Sequence, residues 1–479
     1  MNKLFKMYKN LSKPAKASLW FVMSNVILKG ISFFTLPIFS RLLTPSEYGV
    51  VSVYSSWVSV ISILSTLTIW GGVFNVGMVK YEDKYKKMIS AFQGLATSIT
   101  LVFFVISILF LENVSTILGI SELLVICMYI QIIMEIPFNL WSTNQRYKFE
   151  YKKIIIITII TAIINPILGI IAVKNTIYKA EARIISTLII DSIIGLFLFI
   201  YNQKEGKVYF NKEFWSFGFK FNIVLIPHYL SMQVLNQSDR IMINSICGSN
   251  DVGIYSIAYN FAFLLSLITN GINSSLTPYI YQKIKEKDMN KVKNNVNYIV
   301  LLVAVMALGL ICFVPDLFTI MLPNSYYPAL KVIPPVTLGA FFLFLYPLFG
   351  SIEFYYEENK YVTIASIVGA ILNIFLNWIF INMFGFIAAA YTTLFCYICF
   401  SICHYLFMKK VLKKNNQKNN IYDIKFLILI SFCLISIAFI MLLLYDYWYI
   451  RWSVIAVILI GIMILRKRII LLLKGLKEK

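Results

Sequence analysis

Ser40-Arg41-Leu42-Leu43-Thr44-Pro45-Ser46-Glu47-Tyr48-Gly49 closes the first long apolar run of the chain, and a variant returns as Asp239-Arg240 followed by Asp251-Val252-Gly253-Ile254-Tyr255-Ser256. Both copies place an arginine (Arg41, Arg240) before a polar break. An acid (Glu47, Asp251), a bulky residue, a glycine (Gly49, Gly253) and a new apolar run with a serine (Ser52, Ser256) then follow. Duplication of this kind is the mark of a membrane transporter built from two halves.

Working outward, Lys152 precedes Asn165 by 13 residues and Lys360 precedes Asn373 by 13, and the offset of 208 between these pairs lays Ala180 and Ala182 on Ala388 and Ala390. A few inserted residues reconcile it with the 204 that separate Gly49 from Gly253. Apolar runs read against polar breaks give 14 candidate helices, beginning near Ala17, Tyr48, Met88, Thr116, Ile154, Arg183, Phe214, Val252, Asn295, Leu330, Tyr361, Gly385, Phe426 and Trp448. Six then map onto six, and an even number per half gives both halves one orientation, hence a parallel repeat about an axis along the membrane normal. The expected fold is an all-α polytopic membrane protein of about 14 transmembrane helices. It has an N-terminal lobe of helices 1–6 (residues 1–213), a C-terminal lobe of helices 7–12 (214–408), and a cytoplasmic loop with two further helices and a basic tail (409–479).

Composition agrees. Hydrophobic residues make up 59% of the 479 and charged ones 14%, with a mean hydropathy of +0.78, whereas soluble domains are about half apolar and a quarter charged. Runs long enough for a bilayer core recur along the whole chain and leave no room for an ordinary soluble domain. The short alternating segments of an outer-membrane barrel are absent. The net charge of +21 raises nucleic acid as a partner, but 34 of the 43 Lys and Arg fall in breaks on one side of the expected topology. Cytoplasmic loops collect such residues, so no nucleic acid is needed and both termini are expected in the cytoplasm of a bacterial cell membrane. One break, Glu353 to Lys360, resists the rule with three acids and one lysine. The lysines before Ala17 look like a signal-peptide n-region, yet the apolar stretch from Ala17 to Phe39 lacks a small-residue cleavage site and reads as a retained first span. Seven cysteines, odd in number and mostly inside apolar runs, argue against a disulfide framework.

Lys29 lies deep in the first span, where an ammonium costs at least about 2.5 to 3.5 kcal/mol, so it should face protein or water. Lys220 is shallower, and its stem could carry the charge back to the inner surface. Lys331 reads as interfacial. With Asn25, Asn222, Gln233, Asn236 and Gln237, the two deeper lysines are the substrate-cavity candidates, because sugar hydroxyls need such donors and acceptors. Glu135 and Asp191 are intramembrane carboxylates, either counter-ions to those lysines or a proton or sodium site coupling transport to a gradient. Prolines interrupt several helices, and Pro37 and Pro227 make the first helix of each half a hinge candidate. Cys396, Cys399, Cys403 and His404 share one apolar span with no second pair of ligands nearby, and no metal or other cofactor is expected.

With these residues in hand, the chain resembles the bacterial polysaccharide-biosynthesis flippases, the Wzx-type repeat-unit exporters of the multidrug, oligosaccharidyl-lipid and polysaccharide superfamily. The likeness rests on Lys29-Gly30 with Pro37, on Arg41 to Gly49, and on Asp239-Arg240 with Val252 to Tyr259. It implies a MATE-like fold of two six-helix lobes around a cavity, carrying polyprenyl-diphosphate-linked oligosaccharides across the bilayer by alternating access. It also implies a polysaccharide polymerase and glycosyltransferases as working partners. Lys29 and Lys220 then serve an anionic headgroup, while Arg41, Glu47, Gly49, Asp239, Arg240 and Gly253 are lobe-closing candidates. Lipid II flippases carry several arginines in the first helix; only Lys29 precedes Arg41 here, which argues against lipid II as the substrate.

Two rivals remain. A cation-coupled multidrug exporter of the same superfamily should have a net acidic cavity, whereas two or three lysines meet two deep carboxylates here. A polytopic polysaccharide polymerase or acyltransferase should present an extended outer loop or a histidine cluster; the expected outer loops are short and the chain has two histidines. A non-enzymatic transporter is the expectation.

Overall fold

The computed structural model describes residues 12–286, 288–415 and 421–475, with the backbone alone at some helical positions, Asn25 among them. Among the described residues the secondary structure is helical, without strands. The helices are α1 (Lys13–Leu42), α2 (Pro45–Thr66), α3 (Gly72–Lys80), α4 (Tyr85–Leu109), α5 (Leu111–Leu118), α6 (Glu122–Tyr147), α7 (Tyr151–Lys174), α8 (Lys179–Gly206), α9 (Lys212–Ile223), α10 (Ile226–Cys247), α11 (Ser249–Lys285), α12 (Met289–Met321), α13 (Ile333–Tyr355), α14 (Asn359–Phe384), α15 (Ile387–Lys414), α16 (Ile424–Leu443) and α17 (Trp448–Gly475).

Eleven of these are long and apolar enough to cross a membrane, or twelve if the bent α11 counts as one span. The chain is a multi-pass membrane protein, and the expected fourteen is not reached by that measure for two local reasons. The seventh run is split into α9 and α10, and of α17 only Trp448–Gly461 is described in full, too few residues for that measure to apply. At Pro37, where a hinge is expected, α1 runs unbroken, and the early break in helical structure falls in the second span, between α2 and α3. There Leu67 and Thr68 adopt positive φ angles of 56° and 49°. The Gly71-Gly72 pair that follows lets neighbouring helices come close.

By its contacts the chain divides into two compact units, Met1–Gly253 and Ile254–Lys479. In the first, Ile69, Val73, Phe74, Met88, Phe92, Ile136, Leu140 and Phe214 form a buried core from the α2–α3 connection, α3, α4, α6 and α9. Amides stitch α8 to two of these helices, α4 and α6: Asn202 donates to the Gln93 side chain at 2.9 Å and to the Pro137 carbonyl at 3.2 Å, and Gln93 donates to the Phe199 carbonyl at 3.1 Å. Such bonds contribute about 0.6 to 2 kcal/mol each in a bilayer.

In the second unit α13 is largely buried and packs on α15, where Ser401 donates to the Phe342 carbonyl at 2.9 Å. The last two helices dock on α12: Tyr445 donates to the Ile311 carbonyl at 3.1 Å, and buried Arg451 pairs with Asp316 at 2.6 Å. The acidic break at Glu353 to Lys360 also finds its explanation here. Glu353 is fully buried against His404, with Oε1 to Nδ1 at 2.9 Å, and Glu358 is bridged to Lys414 and Lys360. Two of its three acids are thus answered locally by bases.

Candidate functional site

The two copies of the opening motif meet each other. A Cβ on Gly49 would overlap the Ser249 carbonyl and lie 3.1 Å from the Gly253 nitrogen; a Cβ on Gly253 would overlap the Pro45 carbonyl and lie 3.1 Å from the Gly49 nitrogen. Pro45 and Ser249 are themselves 204 residues apart, so the crossing of the α2 and α11 N-termini is reciprocal in the register of the repeat. Only glycine allows backbones this near. Ser46 and Ser249 hydroxyls bond at 2.7 Å beside it.

Glu47 is committed to a capping box. Its carboxylate accepts the Thr44 N–H at 2.7 Å, and the Thr44 hydroxyl accepts the Glu47 N–H at 3.3 Å, closing the start of α2 behind Pro45. Arg41 is exposed at the end of α1. Asp239 is buried on α10, and Arg240 donates to the Asn236 carbonyl at 3.0 Å and to the Gln237 side chain at 2.9 Å. Gln237 also accepts from Ser56 of α2 at 3.0 Å, so a sequence-based cavity candidate and a gate candidate share one chain of bonds. Asn236 turns back on its own helix, to the Met232 carbonyl at 2.7 Å, and Gln233 is half-buried nearby on α10.

Deeper in this unit two broken helices face each other. Gly72, just after the α2–α3 break, donates its N–H to the Tyr229 hydroxyl at 3.5 Å, and Phe221 and Leu225 flank it from the α9–α10 break. Pro227 at the start of α10 cannot supply an N–H to continue the preceding helix. Asn222, fully buried in the last turn of α9, has no partner for either amide atom among the described residues. The Thr68 hydroxyl and His228 Nδ1 are likewise buried and unpartnered beside the two breaks. Irregular backbone at membrane depth is tolerated where it lines a polar cavity or is packed in protein, and unpartnered amides there are ready to bind.

Lys29 lies exposed on α1; the side chain of Asn25, a turn earlier, is outside the described residues. Lys220 is exposed on α9 and shares an open pocket of about 500 Å³ with Lys80, the last residue of α3. Lys29 is not among the residues that line this pocket.

The carboxylates organise separately. Tyr54 donates to the Gln131 carbonyl oxygen at 2.8 Å, and the Gln131 amide donates to Glu135 at 2.8 Å. Asp191 lies in electrostatic range of Arg183, Tyr54 and Glu135. Arg183 bonds the Thr187 hydroxyl at 2.7 Å and stacks over the Phe39 ring at 4.5 Å, linking α8 to α1. Tyr54, Gln131 and Arg183 escape the sequence reading. Arg183 is a turn inside its helix, although the hydropathy break makes it look like a boundary.

In the second unit Cys399 and Cys403 are free thiols, Cys396 is buried on the same helix, and His404 bonds Glu353. Among the described residues no three His, Cys, Asp or Glu converge on a metal-sized site.

The comparisons with known proteins bear on this arrangement. A family model described as polysaccharide biosynthesis protein matches residues 15–284, and the MatE model matches residues 225–379. The chain is 23% identical over 381 residues, 75% of its length and 89% of the relative's, to Lsg locus putative protein 1 of Haemophilus influenzae. An uncharacterized membrane protein of the same organism is 24% identical over 323 residues, covering 65% of this chain and 74% of the relative. Among solved structures, the lipid II flippase MurJ in an inward closed conformation superposes with a TM-score of 0.67 at 17% identity, covering 95% of this chain and all of that one. An inward-facing multidrug resistance MATE family transporter of the MOP superfamily gives 0.61 at 12% identity, covering 82% and 96%. These likenesses fix the fold. The family model covers more than half of the chain, including both copies of the opening motif and the two broken helices, and the chain belongs to the polysaccharide biosynthesis protein family.

Proposed function

We propose that this protein is a flippase that moves a polyprenyl-diphosphate-linked oligosaccharide repeat unit, of a surface polysaccharide such as O-antigen or capsule, from the inner to the outer leaflet. The observation that carries the reading is the pair of broken helices in a chain of this family, with the unpartnered amide of Asn222 in the last turn before one of the breaks. A neutral sugar headgroup needs amide and hydroxyl partners inside the membrane, and its diphosphate needs cations. Lys29 and Lys220 supply charge; Asn222, Gln233, Asn236 and Gln237 supply hydrogen bonds.

Transport by alternating access would rock residues 1–213 against 214–408, with both termini in the cytoplasm. In this reading the glycine crossing is a closing element and Glu47 keeps its capping role within it. Glu135 and Asp191, with Tyr54 and Gln131, are the groups we assign to a coupling proton or sodium ion. Polymerase and glycosyltransferase partners belong to the same proposal.

Deleting the gene in a polysaccharide-producing host and analysing its lipid-linked sugars tests the reading. A complete repeat unit accumulating on the inner leaflet, with loss of surface polymer, is the expected result and also names the sugar. Unchanged lipid-linked pools and unchanged polymer would sink it. A cation-coupled multidrug exporter is the second reading, favoured by the MatE match over residues 225–379. It requires that deletion sensitise cells to organic cations while the lipid-linked sugars stay normal.

A further inference from the structure

The pocket that receives Lys220 lies where the end of α3 meets the first turns of α9, at the lysine-rich end of these helices. It holds about 500 Å³ and is lined by Lys80, Tyr81, Glu213, Ser216, Phe217 and Lys220. Lys80 Nζ stands over the Phe217 ring at 4.7 Å and the Tyr81 ring at 5.1 Å, so its ammonium is held by aromatic faces. Among the described residues neither Lys80 nor Lys220 has an ion-pair partner, although Glu213 lines the same pocket. Tyr81 is nine-tenths buried and its hydroxyl has no hydrogen-bond partner among the described residues. Ser216 adds a hydroxyl at the rim. Two ammonium groups without ion-pair partners and the Ser216 hydroxyl around an open concavity, with the Tyr81 and Phe217 rings holding Lys80 in place, form a receptor for a compact, multiply charged oxyanion.

We propose that this pocket is a loading site for the diphosphate of the lipid-linked substrate, distinct from Lys29, occupied before the headgroup enters the cavity. The assignment rests on the flippase reading for the source of the diphosphate. The chemistry it recognises, a diphosphate oxyanion, belongs equally to a polyprenyl headgroup and to free diphosphate. Two lysines against one carboxylate leave a positive excess. Glu213 keeps that excess small, which favours quick release over tight storage.

The test uses the full-length protein with Lys29→Ala in the background, so that only this pocket is read, and farnesyl diphosphate and inorganic diphosphate as probes. Binding of farnesyl diphosphate is expected, weakened at least tenfold by Lys80→Ala with Lys220→Ala, kept by the corresponding arginine pair, and tightened by Glu213→Gln. Competition by inorganic diphosphate would mean that the headgroup alone is recognised; competition only by the lipid form would mean that the chain helps to hold it. Both support the site. Unchanged affinity in the double alanine variant, or equal displacement by phosphatidylglycerol vesicles, would overturn it. Lipid-linked sugar pools after gene deletion report on the flippase reading alone, so failure of the pocket and failure of the function are distinguishable.

Discussion

Gly49→Ala should destabilise the protein by on the order of 1 to 2 kcal/mol, the balance of two opposed effects. Alanine improves on glycine in a helix by about 1 kcal/mol, while overpacking a tight contact costs about 1 to 3 kcal/mol. The upper end applies here because the methyl would meet the Ser249 carbonyl and the Gly253 nitrogen, both backbone, and no side chain can rotate away. Thermal unfolding of the purified protein, followed by tryptophan fluorescence, should show a midpoint lowered by about 2 to 8 °C on the scale of 150–250-residue domains. Gly253→Ala should do the same, since it faces the Pro45 carbonyl and the Gly49 nitrogen. The double variant is the sharper test: once the first methyl has parted the helices, the second is accommodated, so the combined cost should fall short of the sum by about 1 kcal/mol. Gly309→Ala, where nothing lies within 4 Å, is the control and should be neutral or stabilising. A Gly49→Ala protein as stable as its parent, or two costs that simply add, would refute the reciprocal crossing.

Lys29→Ala at normal expression should abolish polymer export in a producing host while Lys29→Arg retains it; export at the parental rate in the alanine variant removes the main support for a cationic path. Glu135→Gln should lower transport driven by a proton or sodium gradient and leave ungraded equilibration intact, measured as the difference between energised and collapsed vesicles; equal rates in both variants and both conditions exclude coupling at this residue. Arg451→Ala leaves Asp316 half-buried without its base, and breaking such a buried pair costs about 3 to 5 kcal/mol; faster hydrogen exchange confined to α16 and α17 is expected, and global loosening or none would contradict the docking role. The Lys414 ammonium, followed by that of Lys360, holds the Glu358 carboxyl below its usual range. Its contribution to stability is therefore present above the ordinary carboxylate range and fades as pH falls through the lowered value. Wild type and Glu358→Gln should differ at neutral pH and converge in acid, and parallel curves down to the lowest pH would refute that linkage.

The helical class, the run of spans and their approximate starts were readable from hydropathy because about 20 apolar residues per crossing leave few alternatives. Gly49 and Gly253 were readable as a pair for the same kind of reason: a repeated glycine marks a repeated close approach. Other features depend on distance between segments. The α2–α3 break contains no proline, and only Gly71-Gly72 marked it in the sequence. Lys220 looked like a companion of Lys29, yet its neighbour is Lys80, which a one-dimensional reading assigns to a topological signal. Glu353 was read as part of a charge anomaly and His404 as the companion of three cysteines in one apolar span; they form one buried pair, because the 51 positions of chain that separate them fold back between α13 and α15.

The central claim, that the substrate crosses the bilayer through this protein, is tested most directly in vesicles. Purified protein would be reconstituted with the lipid-linked oligosaccharide extracted from the deletion strain, and the fraction of sugar open to a membrane-impermeant oxidant would be followed with time. Inner-leaflet sugar should become accessible in vesicles containing the wild-type protein and stay protected in those containing Lys29→Ala. Equal protection with and without the wild-type protein would contradict the account.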